Sequence, residues 1–210
     1  MELKRISYFY NNKSIIIKNF SKKFYFNKIY GIFGESGSGK STLLDIITGL
    51  LEPKSGSIYY DGKKLIKSDY FDYCKNFSYI SQKVFFTSDN LLESVAIGEN
   101  KKNIDLKKIK KIFSRTGLKK FLKKNIFKTS LKNFGRSLSG GETQRLAIAR
   151  SLYCSKNIII FDEATNALDK KNENLIFKTI LRLKKNNLIF IVSHNTKILN
   201  QVCDEIINLK

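Results

Sequence analysis

The stretch Gly34-Glu35-Ser36-Gly37-Ser38-Gly39-Lys40-Ser41 stands between the apolar run Ile29 to Phe33 and the helix-forming segment Ser41-Thr42-Leu43-Leu44-Asp45-Ile46-Ile47-Thr48. It fits G-x-x-x-x-G-K-[ST], and the strand before it and helix after it are the context in which that pattern carries chemistry. The glycines let successive backbone N–H groups wrap phosphate oxygens, the helix N-terminus adds its positive dipole end, and Lys40 reaches the β- and γ-phosphates. Ser41 would place its hydroxyl on Mg²⁺. Residues Gly34 to Thr42 are thus candidates for a nucleotide site, without fixing which kind.

Three short runs are almost continuously apolar: Ile29 to Phe33, Asn157 to Phe161 and Leu188 to Val192. That pattern predicts strands buried on both faces of a parallel sheet. Polar residues follow each run, the glycine-rich loop after the first, Asp162-Glu163-Ala164-Thr165 after the second and Ser193-His194-Asn195 after the third. Open α/β sheets place their ligands there, beyond the carboxyl ends of the strands. The first 30 residues instead alternate β-type runs with polar breaks, notably Ser14 to Ile17 and Phe24 to Phe26, as an antiparallel sheet would. Asp61-Gly62 between β-type runs predicts a tight hairpin. Leu106, Ile109, Ile112 and Phe113, then Leu118, Phe121 and Leu122, recur at helical spacing among lysines, which predicts amphipathic helices with a wet basic face. The expected fold class is α/β, a P-loop core with a mainly parallel sheet, an N-terminal antiparallel β subdomain and an inserted α-helical subdomain.

At 210 residues and 42% hydrophobic content the chain can bury one sizeable core, or one core carrying a small insert. No run approaches the roughly 20 apolar residues of a membrane span, and the start lacks the apolar centre of a signal peptide. The expectation is a soluble chain that meets a membrane through a partner. Cys74, Cys154 and Cys203 are odd in number, far apart and without metal-ligand spacing, so they read as reduced structural thiols of a cytoplasmic protein. A net charge of +21 raises nucleic acid or anionic membrane as partners, although the abundance of Lys, Asn, Ile and Phe throughout points equally to the coding bias of a low-GC genome. Its distribution is more telling. Residues 101–132 hold twelve lysines and Arg115 against the single acid Asp105, more than half of the whole excess.

Leu138-Ser139-Gly140-Gly141-Glu142 precedes a segment in which Leu146, Ala149, Leu152 and Tyr153 form a helical stripe, so the Ser-Gly-Gly turn is predicted to open a helix. By itself it is a serine N-cap followed by flexible glycines. With the P-loop upstream and Asp162-Glu163-Ala164-Thr165 downstream, the chain resembles the ATP-binding cassette (ABC) ATPase family, whose signature is LSGGQ or LSGGE, over essentially all its length. The resemblance implies ATP and Mg²⁺ as ligands and a division into a core of residues 1–82 and 134–210 around a helical subdomain of residues 83–133. It implies that Ser139, Gly140 and Gly141 bind the γ-phosphate of ATP held by the P-loop of a second cassette, in a homo- or heterodimer. Asp162 resembles the aspartate that holds Mg²⁺ and Glu163 the carboxylate that polarises the attacking water. His194, the lone histidine, resembles the switch histidine at the γ-phosphate, and Gln82 the glutamine that senses Mg²⁺ and relays the state to a partner. Asn166-Ala167-Leu168-Asp169 resembles the D-loop, with Asp169 shaping the site across the dimer. Tyr10 stands where the family stacks an aromatic on adenine, and Tyr8 competes for that role.

The run from Gln82 to Asn100 resembles exporter-type cassettes, as does Gly135 ahead of the signature. Asn133, Asn27 and Asn195 depart from the family pattern, standing in place of a usual Glu, Gly and Arg. The implied function is ATP hydrolysis that powers a separate transmembrane permease subunit, for export, on the inner face of the cell membrane. There the basic segment would face the anionic leaflet. A soluble ABC ATPase of DNA repair or translation is the alternative that the charge would suit. Against it, the chain has neither the long coiled-coil insert of the first nor the second cassette of the other, which leaves nucleic acid an unfavoured partner. A module that binds without turnover would lack Glu163 or His194, and both are present.

Overall fold

The computed structural model describes residues 1–10, 14–86, 90–123, 138–164 and 168–209. Along the chain the elements are β1 (Glu2–Tyr10), β2 (Ser14–Lys23), β3 (Ile29–Gly34), α1 (Lys40–Thr48), β4 (Ser55–Tyr60), β5 (Lys63–Lys64), α2 (Tyr70–Cys74), β6 (Phe77–Ile80), α3 (Leu91–Val95), α4 (Leu106–Arg115), α5 (Gly140–Cys154), β7 (Ile158–Asp162), α6 (Lys170–Leu183), β8 (Leu188–Val192), α7 (Thr196–Val202) and β9 (Glu205–Leu209). They fall into two compact units, residues 1–77 with 184–210, and residues 78–183.

The first unit contains both kinds of sheet. An antiparallel sheet runs in the order β2-β1-β4-β5. Its last turn is the expected hairpin: Asp61 and Gly62 both adopt positive φ, 49° and 76°, as a two-residue primed turn requires, and Tyr60 pairs with Lys63. In the parallel sheet β3 lies between β8 and β9, pairing Gly31 with Ile191 on one side and with Ile206 on the other. Ile29, Tyr30, Ile32 and all of Leu188 to Val192 are buried, which is why these runs carry no polar alternation. The start of β3 is fixed by Asp204, whose carboxylate accepts the Ile29 N–H at 2.7 Å.

One expected β-type run is not a strand. Phe24 closes the ladder by exchanging backbone hydrogen bonds with Met1, and Phe24 to Phe26 then run irregularly into a turn at Asn27. The Phe24 ring is buried edge-on against both Tyr30 and Phe190, so its apolar character serves the core below the sheet. Asn27 has φ 63°, the left-handed conformation that Asn tolerates and that Gly more commonly supplies.

In the second unit β6 and β7 are sheet neighbours. A helical cluster packs Ile109, Ile112 and Phe113 of α4 with Leu91, Leu92 and Val95 of α3 and with Leu146, Ala149 and Tyr153 of α5. Lys107, Lys110 and Lys111 lie on the exposed face of α4, as the helical spacing predicts. Leu118 and Phe121 are also buried, but Lys119–Lys123 is a tighter 3₁₀ turn. The cysteines are free, and burial pushes the Cys203 thiol up to about 12, which keeps it protonated and unreactive. Asn133, Gly135, Asn166 and Ala167 lie outside the described residues. No helix among the described residues is long and apolar enough to cross a membrane.

Candidate functional site

The glycine-rich loop leaves β3 at Gly34 and re-enters regular structure at Lys40, the first residue of α1. Gly37 and Gly39 have φ of 85° and 89°, a region that costs side-chain-bearing residues strain. A Cβ on Gly39 would lie 2.7 Å from Ile16 Cγ2, and one on Gly34 would collide with Ser38 Oγ and come within 2.6 Å of the Leu209 carbonyl. Both positions therefore need glycine, one for conformation and space together, the other for space. Gly39 caps α1 with no side-chain hydrogen bond, so the first N–H groups of the helix receive no capping oxygen from that residue.

Lys40 Nζ donates to the carbonyls of Gly34 at 2.8 Å and Glu35 at 2.7 Å. This folds the ammonium back over the loop. Ser38 Oγ is buried without a hydrogen-bond partner, an arrangement that costs free energy unless a ligand oxygen completes it. Ser41 is exposed at the start of α1 and Thr42 is buried behind it. A cavity of about 600 Å³ borders Gly34 to Ser38, with Ile15, Ile16 and Asn208 in its lining. An uncapped helix start, an unpaired buried hydroxyl and a cation resting on the loop's own carbonyls fit a polyphosphate.

The unit that carries the loop also carries Tyr10 and His194. Tyr8 is 6% exposed and Tyr10 48%, with the two rings edge-to-face at 5.0 Å. Only the Tyr10 face is open to a planar ligand, so burial separates two residues that sequence left in competition. The Tyr10 hydroxyl is 3.4 Å from Thr42 Oγ1, bringing this ring to the helix that begins at the loop. His194 is exposed just past β8. Ser193 before it is buried, its hydroxyl accepting the Asn195 N–H at 3.1 Å, and the Asn195 side chain accepts the N–H groups of Lys197 and Ile198 to cap α7. Asn195 is therefore a helix cap, a reason of its own to replace a more usual Arg.

The second unit holds the remaining candidates. Asp162 ends β7, and its Oδ2 accepts a hydrogen bond from the Tyr79 hydroxyl at 2.7 Å. Glu163 has φ 50°, a strained left-handed backbone at the position read as the water-polarising carboxylate. Gln82 is exposed in a bend after β6. Asp169 accepts from the backbone N–H of Asn172 at 2.9 Å and from its side-chain amide at 2.6 Å, serving as a cap at the start of α6, and these bonds hold its carboxyl below the usual range. Among the described residues no cluster of three His, Cys, Asp or Glu side chains could hold a metal alone. The Ser41 hydroxyl in the first unit and the Asp162 carboxylate in the second are each hard oxygen donors, the kind of ligand that Mg²⁺ takes.

Ser139 caps α5 in a reciprocal box: its hydroxyl accepts the Glu142 N–H at 3.3 Å and Glu142 Oε2 accepts the Ser139 N–H at 3.0 Å. The buried Glu142 is also ion-paired to Lys120 from the basic segment. Burial works to raise this carboxyl, but the Lys120 ammonium and the Ser139 N–H together hold it below its ordinary value of 4.5. A depressed carboxyl stabilises the turn above the unfolded value and loses that contribution as pH falls through the folded one. Urea unfolding is thus expected to show wild type losing stability over Glu142→Gln between pH 6 and pH 3.5, by the order of 1 kcal/mol. Parallel pH profiles of the two proteins would remove the pair from this role.

Sequence reasoning missed three holding residues. Gln144, on α5, donates to the Ser81 carbonyl beside Gln82 at 3.2 Å. Arg150, a turn and a half further on, donates to the carbonyls of Phe85 at 3.0 Å and Ser94 at 2.8 Å. Tyr79 is the third. No pattern along the sequence singles out the first two: Gln144 is buried on α5 and Arg150 half-buried, and both reach carbonyls far away in the chain.

Residues 17–166 match the model of a family described as ABC transporter. A probable ABC transporter ATP-binding/permease protein of Haemophilus influenzae is 33% identical over 87% of the chain and 33% of its own length. The lactococcin-G-processing and transport ATP-binding protein of Lactococcus lactis subsp. lactis is 31% identical over 100% of the chain and 30% of its own. An ATP-dependent lipid A-core flippase of Haemophilus influenzae is 31% identical over 99% and 35%. The chain thus spans about a third of the length of these relatives. A bacterial Atm1-family ABC exporter with ATP bound superimposes with a TM-score of 0.88 over 100% of this chain and 37% of that one, at 24% identity, a likeness of fold.

Proposed function

The chain belongs to the ABC transporter family as an ABC ATPase domain, and from that premise we propose that it hydrolyses ATP as a head-to-tail pair of cassettes and so drives export through transmembrane segments. In this reading residues 1–210 form one ATPase domain, with residues 1–82 and 134–210 as nucleotide-binding core and residues 83–133 as helical subdomain. The relatives reported above are named for permease, transport and flippase activity, and the reading of a repair or translation ATPase draws no support from them. The partners are a second cassette, identical or different, and a permease part, which sets the chain on the cytoplasmic face of the membrane.

The observation that carries this is the glycine-rich loop with Lys40 folded onto its own carbonyls and Ser38 Oγ buried and unpaired. Lys40 exchanges two carbonyl contacts for phosphate oxygens, gaining charge-assisted bonds. Tyr10 stacks on adenine, and the Ser139 turn of the other copy offers its helix start to the γ-phosphate. Glu163 orients and polarises the attacking water, with His194 beside the γ-phosphate holding it in line. Gln82 and Asp169 adjust to the occupied site. Ser41 and Asp162 would hold Mg²⁺, which would supply neutralisation of the phosphate oxygens when bound. Because each site needs two copies, turnover per chain is expected to rise with protein concentration. A specific activity that stays constant over a hundredfold dilution sinks the paired site.

A further inference from the structure

We propose that Tyr79 is a positioning residue for metal binding: its hydroxyl fixes the Asp162 carboxylate so that the opposite oxygen is presented to Mg²⁺. This rests on the reading of Asp162 as a metal ligand. β6 alternates strictly, with Ser78 and Ile80 buried and Tyr79 exposed between them. Ser78 is committed to the helix side, its hydroxyl bonded to Ser151 of α5 at 2.7 Å. The period of two therefore sends Tyr79 to the other face, and because β7 is the neighbouring strand, the phenol lies over the strand end that carries Asp162. The bond to Oδ2, at 2.7 Å, has the length of a charge-assisted contact.

The half-exposed Asp162 carboxylate ends a strand, where its terminal torsion has a broad two-fold well. A ligand that rotates freely pays orientational entropy on binding a metal, and an octahedral ion with short bonds is the least tolerant of a misplaced oxygen. A hydroxyl clamped on one oxygen leaves the other in one place. Phe keeps the Tyr79 ring and removes only its oxygen, which makes the position testable without disturbing the core.

The test is a binding measurement with a non-hydrolysable ATP analogue, first in EDTA and then in Mg²⁺, on wild type, Tyr79→Phe and Asp162→Ala. The ratio of the two affinities reports the metal's contribution alone. Outer-shell partners typically govern metal affinity by about 10- to 100-fold. Tyr79→Phe is expected to keep the EDTA affinity and lower the Mg²⁺ enhancement roughly tenfold, with Asp162→Ala removing it almost entirely. If Asp162→Ala abolishes the enhancement and Tyr79→Phe leaves it intact, the positioning role falls and the metal ligand stands. A larger enhancement in Tyr79→Phe would mean that the hydroxyl competes with the metal, which also overturns the proposal. If Asp162→Ala keeps the enhancement, the metal-ligand reading fails and takes this inference with it.

Discussion

Glu163→Gln is expected to bind ATP with unchanged affinity and to lose hydrolysis by about 10²- to 10⁴-fold, the range in which a positioned general base contributes. The replacement is close to isosteric. Glu163 already holds φ 50° just past β7, and Gln inherits that strain without adding to it, so the backbone there is expected to keep its conformation. What disappears is the negative charge that draws a proton from water. If nucleotide closes two cassettes and hydrolysis reopens them, the variant stays closed. Light scattering after ATP addition is then expected to find a persistent dimer, where wild type returns to monomer as ATP is spent. Turnover within a few-fold of wild type would assign the water to another group and leave Glu163 as a strained turn residue.

The parallel strands, the hairpin at Asp61-Gly62 and the glycine-rich loop were legible because each is local: a run of buried residues, a positive-φ pair, a phosphate-wrapping repeat. The Ser139 cap was legible too, since Ser-x-x-Glu is a capping box whatever else it signifies. The contacts that hold the candidate groups in place were not. Tyr79 and Asp162 are 83 residues apart, Gln144 and Ser81 are 63, and Arg150 and Phe85 are 65. No periodicity expresses a pairing between one strand and another element so far along the chain. Phe24 misled for the opposite reason: its apolar character suits a strand, but an edge-on fit against Tyr30 and Phe190 decided its place. The charge of the basic segment was visible, yet a buried consequence of it, Lys120 against Glu142, depends on a turn that brings an exposed lysine to a helix start.

That two copies share each site can be decided by complementation. Lys40→Ala removes the cation that now rests on Gly34 and Glu35, and the loss of charge-assisted bonds to phosphate, about 1.5–3 kcal/mol, lowers ATP affinity roughly 10- to 100-fold. Ser139→Arg leaves the loop untouched but fills the Gly140-Gly141 helix start with a long side chain and breaks the reciprocal cap with Glu142. Each variant alone is expected to be nearly inactive. In a mixed pair one site combines both lesions, while the other joins an intact loop from one copy to an intact turn from its partner. Random association makes about half of the pairs mixed, so a one-to-one blend is expected to recover about a quarter of wild-type turnover. If loop and turn of a single copy made the site, no blend could recover anything. Absence of recovery, with both variants folded, would therefore reduce the chain to a nucleotide binder that acts without a second copy of itself.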